Sequence, residues 1–151
     1  MADKSWEDLY RQGPESLRAL KPLDVSRVWK PHAGPQTAFM HSEAYELLYG
    51  GAAGGGKTDA LLYGPLDQMH LPTARALFIR ESYPELREVM DRALATFPTF
   101  GATWNEQRKR FTFPAGSTYE FGFVKTYADV LQYQGQEYSD ISWDELGKCP
   151  K

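Results

Sequence analysis

The sequence predicts an α/β fold: a mainly parallel sheet flanked by helices. Three observations predict it. The run "ARALFIR" (74–80) is apolar on both parities at its centre, as in a strand buried on both faces. "SYPELREVMDRALATF" (82–97) follows at once with helical periodicity, Leu86, Val89, Met90 and Leu94 sharing one face. Along most of the chain strand-like and helix-like runs alternate, the order that builds parallel sheets with helical crossovers.

Each element has a local cause. In residues 1–30, "SWEDLYRQG" and "PESLRALK" read as short helices in a charged N-terminal arm that precedes the core. "WKPHAGPQ" (29–36) is turn-rich and reads as a loop. The end of "TAFMHSEAYELLYG" reads as a short buried strand. A helix is expected from Lys57, and Pro65 should kink or end it. Ser82 suits the N-cap of the 82–97 helix and Pro84 its first turn. "KRFTFPAGSTYEFGFV" (109–124) reads as two short strands around a Pro-Ala-Gly-Ser turn. "TYADVLQYQG" is a short helix or turn, and "SDISWDEL" (139–146) a strand ending in two acids.

Bulk properties bound the function. At 151 residues the chain has the size of one domain and can bury a real core. A net charge of −3 gives no overall basic field, so any DNA contact must come from a local patch. One cysteine, Cys149, excludes an internal disulfide framework and suits a reducing compartment. The start "MADKSWEDLY" does not read as a signal peptide, and no apolar run approaches a membrane span.

The chemistry centres on "LYGGAAGGGKTDALL" (48–62), which holds five of the 13 glycines. Gly51, Ala52, Ala53, Gly54, Gly55, Gly56, Lys57 and Thr58 fit G-x-x-x-x-G-K-[ST] at every position. Such a loop folds back so that successive N–H groups face an anion, which favours glycine where φ is positive or space is short. The helix that follows offers its N-terminus to phosphate. Lys57 should reach the β- and γ-phosphates, and the Thr58 hydroxyl should ligate Mg²⁺. A flexible linker is the competing reading, but buried-type residues flank the segment tightly.

Asp144 and Glu145 end the last strand-like run. A phosphate-loop site needs a carboxylate at a neighbouring strand tip for the Mg²⁺ shell, which suits Asp144. Hydrolysis needs a group that positions water, which suits Glu145. An isolated Asp-Glu pair is more often a solvated surface pair; the upstream loop tips the balance. Ser139, Asp140 and Ser142 dilute the apolar run before it. A glutamate beside the metal aspartate favours a motor-type ATPase over a small-molecule kinase.

"PQTAFMHSEAYELLYGGAAGGGKTDALL", "ALFIRESYPELRE" and "YQGQEYSDISWDEL" together resemble the N-terminal ATPase region of the large terminase subunit of tailed bacteriophages. The resemblance runs from about Trp29 to the end, with the motifs in the family's order. It implies an additional-strand (ASCE type) P-loop NTPase, incomplete at the C-terminus, that uses ATP and Mg²⁺ to drive double-stranded viral DNA into a procapsid. It also implies a portal protein and a small terminase subunit as partners, a homo-oligomeric ring, and work in the host cytoplasm. Gln36 becomes the adenine-side glutamine, residues 51–58 Walker A, and Asp144 and Glu145 Walker B. Two departures stand out: no arginine lies among Ala52, Ala53, Gly54 and Gly55, and Gln134 rather than arginine precedes Gly135. Arg80, at a strand end, is a candidate for the missing arginine, with a structural ion pair the more ordinary role. The chain stops six residues after Glu145, so the expected organisation is an arm (1–30) and a partial ATPase domain (31–151), without the family's coupling motif or nuclease domain, and little ATPase activity is expected of this stretch alone. A nucleotide-binding or assembly module without turnover, and an unrelated P-loop helicase core, are the alternatives.

Other candidates read more plainly. Arg108, Lys109 and Arg110 suit a charged edge strand better than a phosphate contact. His32, His41 and His70 show no metal-ligand spacing. Tyr119, Tyr127, Tyr133 and Tyr138 suit packing and turns better than base stacking.

Overall fold

A computed structural model describes residues 21–51, 54 and 56–148. The two short helices expected before residue 21, and Cys149, lie outside the described residues. The described elements are α1 (Pro35–Met40), α2 (Lys57–Tyr63), β1 (Arg75–Arg80), α3 (Tyr83–Thr96), β2 (Thr103–Asn105), β3 (Arg110–Thr112), β4 (Thr118–Phe123), α4 (Tyr127–Val130) and β5 (Asp140–Trp143), with short 3₁₀ turns between them.

One five-stranded mixed sheet runs in the order β2-β3-β4-β1-β5. β1 pairs in parallel with β4 on one side and β5 on the other, whereas β2, β3 and β4 form an antiparallel meander. The expected α/β class is therefore observed, with two parallel and two antiparallel strand pairings. The apolar run 74–80 earns its double burial by sitting between two parallel neighbours: Ala76 to Arg80 are all buried. The Pro-Ala-Gly-Ser turn joins β3 to β4 as expected, and Gly116 takes the left-handed φ of +96° there.

Two expectations on the sheet are corrected. Residues 46–50 form no strand; Leu48 is 79% exposed and Leu47 is exposed too, so their apolar character does not report burial here. β3 is not an edge, because β2 covers it; among the described strands the edges are β2 and β5. The short β2 carries no alternation strong enough to mark it in the sequence.

The sheet's two faces are filled unequally. Ala76 and Phe78 of β1 join Phe111, Tyr119 and Phe121 under α2 and α3 in the main core. Phe97 sits at its centre, with ring centroids 5.0 Å from Phe111 and 5.1 Å from Tyr119. Leu77, Ile79 and Val124 form a smaller cluster on the other face, under Tyr133, Tyr138 and Trp143. Gly122 is required there, since a Cβ would collide with the Tyr133 ring and hydroxyl. Of the expected arm, Leu23, Val25, Val28 and Trp29 pack against the main core. On α3, Leu86, Val89 and Met90 are buried as expected, but Ala93 takes the place given to Leu94, which is exposed. Among the described residues no helix is long and apolar enough to cross a membrane.

Burial pushes the Asp140 carboxyl above its ordinary range, partly offset by a hydrogen bond from Ser142. A carboxyl raised on folding stabilises the native state below the unfolded value of about 3.9, and that stabilisation is lost as pH rises through the folded value. Asp140→Asn keeps the acceptor and removes the charge. It should raise stability to urea at pH 7 and give little gain near pH 4; a gain independent of pH would mean that charge burial is not the cause.

Candidate functional site

The site lies where the C-terminal ends of β1 and β5 meet α2. β5 is in register with β1 from Ala76–Asp140 to Ile79–Trp143, and the Asp144 amide donates the next rung to the Ile79 carbonyl at 3.0 Å. That register sets Asp144 beside Arg80. Asp144 is 4% exposed. Its Oδ2 accepts from the Thr58 hydroxyl at 2.7 Å, across 86 residues of sequence. Arg80 donates to the same oxygen from Nη2 at 2.7 Å and from Nε at 3.1 Å. The structural ion pair is thus realised, and Arg80 Nη1 also donates to the Glu85 carbonyl in the first turn of α3 at 2.9 Å.

The glycine loop is held by its own chain. Gly51, Gly54 and Gly56 have φ of +141°, +83° and +68°, the left-handed side that glycine adopts without strain. Ala52, Ala53 and Gly55 lie outside the described residues. Lys57 Nζ donates to the Gly51 carbonyl at 2.9 Å and so reaches back from the start of α2 to the loop's first residue. Gln36, 2% exposed, donates from Nε2 to the Gly56 carbonyl at 2.7 Å and accepts from the His32 amide at 2.6 Å. Its amide therefore ties the α1 entry to the loop. A Cβ on Gly56 would run into that amide.

α2 is anchored at both ends. Asp59 pairs with Arg92 of α3 at 2.6 Å, and Arg92 also pairs with Glu88. Those carboxylates hold the Arg92 guanidinium above its usual range. At the other end the Tyr119 hydroxyl donates to the Leu62 carbonyl at 2.9 Å, and the Ser142 hydroxyl lies 3.1 Å from the Leu61 carbonyl. Ser142, which weakened the strand signal in the sequence, is a helix anchor. Its buried parity with polar identity was the available clue. Glu145 is exposed and left-handed at φ +59°, with its amide donating to Asp144 Oδ1 at 3.1 Å. A non-glycine residue in that region is strained, and such strain concentrates at functional sites.

Of the expected site residues, the structure brings together Thr58, Asp144 and the adjoining Lys57 and Glu145, with Gln36 bonded to the loop at Gly56. Arg108 to Arg110 lie elsewhere; Lys109 pairs with Glu106 and stands over the Tyr83 ring. Among the described residues no group of three or more His, Cys, Asp or Glu side chains forms a metal cage. A nucleotide-borne Mg²⁺ needs only one or two protein oxygens besides phosphate and water. A hydroxyl and a carboxylate oxygen 2.7 Å apart are the hard donors it prefers, so the residues fit the ion.

No family model, curated protein or solved structure matches this chain.

Among the described loop glycines, Gly56 is the position least able to change. Gly56→Ala should cost at least about 1–2 kcal/mol from the left-handed backbone alone, plus the displacement of Gln36. Urea unfolding should show a smaller cost in a Gln36→Ala background. Additive costs would mean that the two residues are uncoupled.

Proposed function

We propose that this chain binds Mg²⁺–ATP in the loop 51–58 and hydrolyses it. The wider reading is an additional-strand P-loop ATPase of the terminase large-subunit type, driving double-stranded viral DNA into a procapsid. In that setting a portal protein, a small terminase subunit and neighbouring copies in a ring are its partners, in the host cytoplasm. One observation carries the nucleotide reading: Thr58, directly after the loop lysine, bonds the strand-end Asp144 across 86 residues. A chance glycine-rich turn has no reason to sit against a buried carboxylate. The motor assignment rests on the ordered motifs of the sequence.

The residues divide the work. Lys57 is already at the loop and exchanges the Gly51 carbonyl for phosphate oxygens. Gln36 acts on the nucleotide site through Gly56, by fixing the loop's last turn. Thr58 and Asp144 would hold Mg²⁺, which supplies charge neutralisation at the phosphates. Glu145, exposed one residue beyond Asp144, orients and deprotonates the attacking water.

Lys57→Ala should weaken ATP binding about ten- to a hundredfold, the loss of a charge-assisted contact worth roughly 1.5–3 kcal/mol. Calorimetric titration of both proteins checks it, and equal affinities would remove the loop from the nucleotide site. Glu145→Gln should keep ATP affinity within about twofold while phosphate release falls by about 10²–10⁴. If turnover is retained by the variant, another group positions the water.

A further inference from the structure

The metal position of the proposed nucleotide site is covered by a cation that the chain itself supplies. Asp144 Oδ2 takes three donors at once: Thr58 Oγ1 and Arg80 Nη2, each at 2.7 Å, and Arg80 Nε at 3.1 Å. Arg80 Nη2 also lies 3.3 Å from Thr58 Oγ1. The guanidinium therefore contacts both oxygens that fit Mg²⁺. The side chains of Arg80 and Asp144 are only 9% and 6% exposed. A hydrated divalent ion approaching either oxygen meets a positive charge already bonded there. Two cations cannot share one carboxylate oxygen at these distances without strong repulsion.

We propose that Arg80 is a resident cation which keeps Asp144 paired and the metal position closed, and that a divalent ion binds only by displacing Arg80 from Asp144. This rests on the nucleotide reading above. The physical reason for such a device is the burial of Asp144. A carboxylate with so little water needs a partner, and breaking a buried pair leaves an uncompensated charge. Arg80 compensates the carboxylate without metal; the ion does so with it. The bond from Arg80 Nη1 to the Glu85 carbonyl does not involve Asp144 and holds the guanidinium near the site after exchange. Because nucleotide phosphates add negative charge beside Thr58, nucleotide and metal should each strengthen binding of the other.

Mn²⁺ titration followed by electron paramagnetic resonance, on the 151-residue chain without nucleotide, tests the exchange. Arg80→Gln should bind Mn²⁺ about tenfold more tightly than wild type, the factor by which a closed state populated ~90% of the time lowers apparent affinity. Arg80→Lys, a cation without the planar fork, should show a smaller gain. Adding Asp144→Asn to Arg80→Gln should abolish the gain. A second measurement needs no substitution: the Arg80 side-chain Nε–H resonance of ¹⁵N-labelled wild type should move on adding Mg²⁺–ATP and stay in place with ATP and EDTA. Unchanged or weaker Mn²⁺ binding in folded Arg80 variants overturns the proposal, as does an Nε–H signal indifferent to metal. If the variants fail to fold, the wild-type resonance decides alone. Failure of wild type to bind a fluorescent ATP analogue, with or without Mg²⁺, instead overturns the nucleotide reading itself.

Discussion

The carboxylate of Asp144 is the point on which this structure turns. It is nearly inaccessible to water, and a buried charge survives only when paired and hydrogen-bonded. Its donors come from α2 and β1, while its own backbone continues the β5 ladder onto β1. Three distant stretches of chain are thereby fixed to one another. The β1–β5 register follows the same constraint. A one-residue slip would turn Ser142 and Asp140 away from α2 and carry Asp144 away from Arg80. Removing one partner from such a pair costs about 3–5 kcal/mol, a large share of the roughly 5–15 kcal/mol that holds a domain together.

A second constraint acts on the loop. Its two ends are fixed by side chains, so their placement does not depend on glycine flexibility. The Lys57 ammonium and the Gln36 amide bond the carbonyls of Gly51 and Gly56, the loop's two ends. Both bonds leave the loop amides uncommitted by these contacts. For the proposed anion site, ends fixed in advance would lower the cost of binding.

What the sequence made legible follows from how local each cause is. β1 and α3 were readable because double-sided burial and a 3.6-residue stripe leave marks within a few residues. The turn at Gly51, Gly54 and Gly56 was readable because left-handed backbone selects glycine, a local mark. Asp144 could be nominated but not positioned, since its partners Thr58 and Arg80 lie 86 and 64 residues away. The second contact of Arg80, on the Glu85 carbonyl, leaves no mark in the sequence at all. The expectation for residues 46–50 failed for a different reason. Apolar composition states that a segment prefers burial, not that a neighbour is present to bury it, and here Leu47 and Leu48 stay in solvent.

That failure reveals how the site is built. In the expected arrangement the segment before the loop would enter the sheet and fix the loop by backbone pairing. In the observed one β5 is an edge strand, with Ile141 59% exposed, and no described strand lies between it and the loop. Among the described residues the loop reaches Asp144 through Thr58, on a helix of seven residues too short to be stable by itself. The helix must therefore be held by side chains. Asp59 and Arg92 tie its first turn to α3, while Tyr119 and Ser142 bind its last carbonyls to the sheet. Ser142 stands two residues from Asp144 on the same strand, so the tie at one end of α2 and the acceptor of Thr58 at the other move as one body. The distance between loop and acid is thus set by β5 itself, through two contacts with one short helix, and not by a hydrogen-bonded ladder between them.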